Sequence, residues 1–190
     1  MTAAVTIRRY PDVTPSSKLS DEIDAIFFEA SNSKSFESDA AQAVFRERWL
    51  GRYLRDDPQF VYLAFAASGD VAGYVVGAID DPGLSERFAD IGYVAAFGDL
   101  TRKYPAHLHI NLAPAFRNRG IGGRLIEAFV TEATRRGAPG VHVVTSANSD
   151  NVRFYNRNGF IEVARTKDST PLVFLARTLA PVVHTIADLD

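Results

Sequence analysis

The chain has 190 residues, 46% hydrophobic and 23% charged, enough for one globular domain with a sizeable core and cramped for two. Its 21 basic and 23 acidic residues leave a formal net charge of −2 with the signs interspersed, so neither nucleic acid nor an anionic membrane is an expected partner. Cysteine is absent, which removes disulfides, thiolate metal ligands and a thiol nucleophile together.

In chain order, residues 4–10 alternate around Val5 and Ile7 and stop at Pro11, as a first strand should. Ser20 is read as the N-cap of a helix whose apolar face carries Ile23, Ile26, Phe27 and Ala30. A polar loop over 31–38, containing Phe36, separates it from a second helix over 39–54, in which Phe45, Trp49 and Tyr53 fall four apart. Asp56-Asp57-Pro58 ends that helix. Residues 60–67 are apolar on both faces, the mark of a covered central strand, and Ser68-Gly69-Asp70 turns the chain into a second arm over 71–79. Gly73 and Gly77 in that arm point to a bulge or to close approach of another backbone. The run 60–67 is also the longest clean apolar stretch and is too short for a bilayer; with no signal-peptide pattern, the expectation is a soluble cytoplasmic protein.

Residues 84–103 are too many for a plain connection, and Phe88, Ile91 and Ala95 hint at a helix, either packed on the surface or covering a cleft. Were Asp80, Asp81, Glu86, Asp90 and Asp99 to face such a cleft, they would favour a cationic ligand. Strand 107–112 follows, then a helix with Leu125, Ile126, Phe129, Val130 and Ala133 on one face and Gly137 at its end. A strand over 141–145 completes a strand–helix–strand unit, which implies a right-handed crossover and a parallel pair. A short helix over 148–158 and strands over 160–165 and 171–177 follow, and 180–190 reads as a tail.

The turn before the long helix reads Arg117-x-x-Gly120-x-Gly122-Gly123. A helix opening there aims unpaired N–H groups and its positive dipole end at the loop, a socket for phosphate or pyrophosphate. Gly120 and Gly122 would serve close anion approach or a positive φ. No Gly-Lys-Ser/Thr occurs, which excludes a P-loop, and the third glycine of a dinucleotide fingerprint would fall on Leu125.

Arg117-x-x-Gly120-x-Gly122, preceded by Leu112-Ala113-Pro114, resembles the acyl-CoA pyrophosphate loop of the GNAT superfamily of N-acetyltransferases. A second block, Asn148-x-x-Asn151-x-x-Phe154-Tyr155-x-x-x-Gly159-Phe160, resembles that superfamily's Asn-x-x-Ala-x-x-Phe-Tyr-x-x-x-Gly-Phe segment, with Asn151 in place of the usual small residue. Stretches 104–110 and 137–142 further resemble the acetyltransferase-like C-terminal domain of O-GlcNAc hydrolases and its free-standing bacterial relatives.

The resemblance implies a single α/β (α+β) GNAT domain over 1–180: a mixed sheet of six to seven strands, helices on both faces and a splayed parallel pair at the acyl-CoA site. It implies an acetyl-CoA-dependent transferase acting on a primary amine, of a small molecule or a protein, by direct attack in a ternary complex; homodimers are common in the group. A non-catalytic acyl-CoA-binding or protein-interaction module is the rival, since fold does not guarantee turnover.

For the cofactor the resemblance points to main-chain groups of Asn111, Leu112 and Ala113, with Asn148, Asn151 and Phe154 beside pantetheine. The pyrophosphate falls on the loop of Asn118, Arg119, Gly120, Ile121, Gly122 and Gly123, with charge from Arg117, Arg119 and Arg124. Tyr155 is the candidate acid, a phenol still protonated at neutral pH, with packing of an aromatic pair as its structural alternative. His107, His109 and Asn111 share one strand face while Leu108, Ile110 and Leu112 face the core, so either histidine is a candidate base or a buried structural residue. Two histidines without a carboxylate cluster do not make a metal site, and His142 and His184 have no supporting context.

Overall fold

The computed structural model describes residues 5–179. Seven strands, β1 (Thr6–Arg9), β2 (Tyr62–Phe65), β3 (Val71–Ala78), β4 (Ala106–Leu112), β5 (Gly140–Ser146), β6 (Ile161–Arg165) and β7 (Leu172–Thr178), form one sheet in the order β1-β2-β3-β4-β5-β7-β6. All neighbours are antiparallel except β4 and β5. Residues 180–190, read from sequence as a tail, lie outside the described residues.

Among the described residues six α-helices flank the sheet: α1 (Ser17–Ala30), α2 (Asp39–Arg46), α3 (Arg52–Asp56), α4 (Val94–Lys103), α5 (Ile121–Arg135) and α6 (Asn151–Arg157). The apolar stripe of α5 places Leu125, Ile126, Phe129 and Ala133 against Phe60, Val75, Leu108 and Val143 on one sheet face. On the other face Ile23 and Phe27 of α1 meet Leu50, Tyr53, Tyr74, Val76 and Phe88. Because both faces are covered, β3 is buried along its whole length, as a continuous apolar run requires.

Several boundaries differ from the sequence reading for identifiable reasons. The N-cap of α1 is Ser16, whose Oγ accepts from the Leu19 N–H at 3.1 Å; Ser20 sits inside the first turn and donates its Oγ–H to the Ser16 carbonyl. Phe60 is not in a strand: Pro58 fixes a short 3-10 turn over Pro58–Phe60, and β2 begins at Tyr62. The second helix is interrupted by a π turn, Glu47–Gly51, which joins α2 to α3. Gly51 lies in that turn and Trp49 projects from it.

Gly73 and Gly77 do mark both expected features. The β2–β3 register slips beside Gly73, where a Cβ would lie 2.7 Å from the Asn111 carbonyl. At Gly77 a Cβ would meet the Phe129 ring at 2.5 Å, so α5 rests directly on the β3 backbone.

The long segment before β4 is a packed element. A turn over Glu86–Phe88 buries Phe88 completely and Ile91 follows it into the core, while α4 kinks at Phe97 and sets that ring 5.4 Å from Phe174 of β7.

Candidate active site

β4 and β5 run parallel but pair only at Ala106↔Val141 and His107↔His142, then part. Antiparallel bonding of β4 to β3 includes the Ala113 N–H to the Ala72 carbonyl at 3.0 Å. By alternation along β4, the N–H and C=O groups of Ile110 and Leu112 therefore face the gap where β5 has peeled away. A cleft of about 1000 Å³ opens there, walled by Ile110, Asn111 and Leu112, by the glycine turn, and by the cleft side of α6.

The glycine turn is built by left-handed backbone at two residues, Asn118 (φ 58°) and Gly120 (φ 75°), the latter capping α5. A Cβ at Gly120 would meet nothing, so glycine is required there for its dihedral. Gly122 has a different reason: a Cβ would lie 2.9 Å from the Phe154 ring and 3.4 Å from Leu112. Gly123 similarly accommodates the Asn158 amide, whose Nδ2 donates to the Phe154 carbonyl. The N-terminus of α5 and α6 are thus locked together, and the unpaired N–H groups of the first α5 turn face the cleft mouth.

Tyr155 faces the cleft from α6 but is only 8% exposed, wedged between Phe154 and Phe160 with ring centroids 5.2 and 5.5 Å away. Burial pushes its phenol well above the usual range, so it holds its proton through the neutral and moderately alkaline region. Among the described residues its hydroxyl makes no hydrogen bond to protein. It remains available to an occupant of the cleft.

The opposite face of β4 is a second core rather than an open polar face, which corrects the expectation that only Leu108, Ile110 and Leu112 point inward. His107 is 1% exposed, with Nδ1 3.3 Å from the Pro105 carbonyl and Nε2 buried without a partner among the described residues. His109 is half-buried; its Nε2 is 3.2 Å from the Tyr53 hydroxyl and Trp49 packs edge-on at 5.2 Å. His142, given no role by its sequence context, is fully buried: Nδ1 lies against the Tyr104 carbonyl and Nε2 is 2.9 Å from the Tyr93 hydroxyl. Burial drives all three imidazoles down, His109 and His142 to about 4, so each is neutral at pH 7.

Of the acidic residues near the 84–103 segment, Glu86 and Asp99 are exposed without an ion pair among the described residues, and Asp81 leaves Oδ2 buried without a partner there; the others are engaged. Asp90 is held by Arg48 and Arg52, Asp80 by Arg87, and Asp81 accepts the Gly83 N–H.

The sequence profile of the acetyltransferase (GNAT) family matches residues 24–160, which contain both cleft walls. The chain belongs to this family. GNAT members are N-acetyltransferases that use acetyl-CoA as the acyl donor, and membership leaves the acceptor open. The fold agrees with solved structures. SsHAT is 24% identical with a TM-score of 0.70, over 93% of this chain and 99% of that one. A GNAT from Kribbella flavida is 17% identical (TM-score 0.64; 93% and 98% covered). A structure of the NatC complex bound to Gag peptide and CoA contains a chain 15% identical (TM-score 0.62; 93% and 99% covered).

Within this GNAT fold the cleft gathers Asn111, Leu112, Arg117, Asn118, Gly120, Gly122, Gly123, Asn151, Phe154 and Tyr155. Other expected positions fall elsewhere. The Ala113 N–H is committed to β3, Ile121 is buried, Asn148 is exposed away from the cleft lining, and Arg124 faces an outer groove with Ile7 and Tyr62. Arg119 lies 5.8 Å from the Phe116 ring, whereas Arg117 is paired with Glu29 and donates Nε–H to the Leu112 carbonyl at 3.0 Å. Sequence reasoning missed Glu29, Arg153 and Arg157 on the cleft walls, and Tyr53 beside His109. Only the 3.6-residue period of α6 could have put Arg153 and Arg157 near the second block's cleft; nothing local marks Glu29 or Tyr53.

Proposed function

We propose that the protein transfers acetyl from acetyl-CoA to a primary amine by direct attack, with the thioester lying in the gap between β4 and β5. The observation that carries this is the splay itself: pairing stops after His107↔His142, which leaves the Leu112 N–H unpaired beside a buried, unbonded phenol. The donor set suits this ligand, with amides for pantetheine at Ile110 and Leu112 and N–H groups for pyrophosphate at the glycine turn.

When bound, acetyl-CoA supplies an activated acyl carbon and a thiolate leaving group. The Leu112 N–H is placed to stabilise negative charge developing on the acyl oxygen. The Tyr155 O–H donates its proton to the departing sulfur, a role that its burial favours by keeping it protonated. His109 is the candidate acceptor of the proton released by the attacking amine; its ring packs against Tyr53 and Trp49 outside the cleft lining, so the proton reaches it through water. In the tautomer whose Nε2–H donates to the Tyr53 oxygen, Nδ1 keeps a free lone pair, and attack lowers the pKa of the amine nitrogen so that a weaker base can take its proton. His107 is sealed behind this site and belongs to the core.

The acceptor is a small-molecule or protein amine. Within the family, the sequence of 104–110 and 137–142 favours the branch related to the C-terminal domain of O-GlcNAc hydrolases. Calorimetric titration with acetyl-CoA, with NADH as a comparison, tests the reading without knowledge of the acceptor. Saturable binding of acetyl-CoA alone is expected; no binding by folded protein would remove it.

A further inference from the structure

We infer that Arg153 and Arg157 form a phosphomonoester subsite on α6, which would let the cleft select the 3′-phosphate of an acyl-CoA. This rests on the acyl-CoA reading above and assigns to α6 a charge role that the glycine turn does not fill.

The three arginines lining the cleft are Arg117, Arg153 and Arg157. Arg117 is already paired with Glu29 and bonded to the Leu112 carbonyl. Arg153 and Arg157 make no ion pair among the described residues, although both are exposed and line the cleft. Their i,i+4 spacing and the position of Arg153 run against the local helix, whereas Arg157 in the last turn suits its dipole. Like charges four apart destabilise a helix by about 0.2–0.5 kcal/mol, and Arg153 sits in the first turn of α6, near the positive dipole end. No ion pair or hydrogen bond among the described residues compensates the pair. A dianion bridging the two would.

Position along the helix separates this subsite from the reacting end. Arg153 and Arg157 lie two residues either side of Tyr155 and leave α6 on the side away from it, about 160° round the helix; their long side chains line the cleft from its exposed edge while Tyr155 is buried. The glycine turn forms the facing wall and its N–H groups suit the pyrophosphate. A phosphomonoester carries nearly two negative charges at neutral pH, which two guanidinium groups match better than one. Asp150 lies on the same rim and lowers the local positive charge by one, leaving the three groups with a surplus of positive charge.

Calorimetry of the full chain with acetyl-CoA and with acetyl-3′-dephospho-CoA tests the assignment, alongside the double variant Arg153→Gln/Arg157→Gln, with circular dichroism to confirm folding. Wild type should prefer acetyl-CoA by about tenfold or more, a single charge-assisted contact's worth, and the double variant should bind both ligands alike, near the wild-type affinity for the dephospho form. Binding of both ligands by wild type without preference would overturn the subsite and leave the acyl-CoA reading standing. So would equal weakening of both in the variant, since the arginines would then serve the pyrophosphate. Binding of neither ligand by folded wild type would overturn both readings together.

Discussion

The Tyr53 hydroxyl and His109 Nε2 lie 3.2 Å apart, joining α3 to β4 across the second core from positions 56 residues apart in sequence. The contact fixes one imidazole nitrogen and thereby decides which nitrogen is free. Tyr53→Phe keeps the ring and removes the hydroxyl. Turnover should fall about fivefold, in line with one lost hydrogen bond, with little change in acetyl-CoA affinity. The pH–rate profile separates this from simple loosening: its acid limb should move in Tyr53→Phe, whereas a structural lesion would scale the whole profile.

Tyr155→Phe tests the acid directly. The side chain is buried against Phe154 and Phe160, which the phenyl ring would still fill, so folding and acetyl-CoA binding should persist. Turnover should drop by roughly 10²–10⁴-fold, the usual contribution of a positioned proton donor. Thiol release measured with a screened amine reads this out, and unchanged turnover would remove Tyr155 from the chemistry.

Gly122→Ala probes the lock between α5 and α6. The new Cβ would sit 2.9 Å from the Phe154 ring, so either that ring or α6 must give way, disturbing the packing against Tyr155. A stability loss of about 1–3 kcal/mol is expected, as for other overpacking changes, together with weakened acetyl-CoA binding. Chemical denaturation and calorimetry on the same sample measure both; wild-type values in each would show that the contact is slack.

The buried histidines give stability a pH dependence with a definite sign. His142 has a folded pKa of about 4 against an ordinary value of 6.5, so between these the unfolded chain binds the extra proton. Its contribution is fully present above pH 6.5 and is lost as pH falls through about 4. At pH 5 the loss from His142 alone is about 2 kcal/mol, and His107 and His109 act in the same direction. Urea midpoints at pH 7 and pH 5 should differ accordingly. His142→Gln should reduce the difference, and an unchanged difference would place the titration elsewhere.

The sequence by itself determined whatever rests on local chemistry and on a period. Leu125, Ile126, Phe129 and Ala133 recur at helical spacing and became the buried stripe of α5; the apolar arm around Val75 became the central strand. Gly120 and the Phe154-Tyr155 block were legible because their spacing is a family pattern, and both face the cleft. Element ends were less legible. Ser16 and Ser20 offer the same hydroxyl, and only the course of the chain before α1 chooses between them.

Tertiary structure alone decided what each polar group is free to do. Period two correctly placed His107, His109 and Asn111 on one face of β4, but covering of that face by Tyr53, Trp49 and Phe88 made it a core. Arg117 matches the phosphate-loop pattern, yet Glu29, distant in sequence, already neutralises it; Arg153 and Arg157 match no motif and remain uncompensated among the described residues. Charge and burial depend on neighbours brought together by folding across the sheet, and a linear pattern carries no record of them until β4 and β5 part.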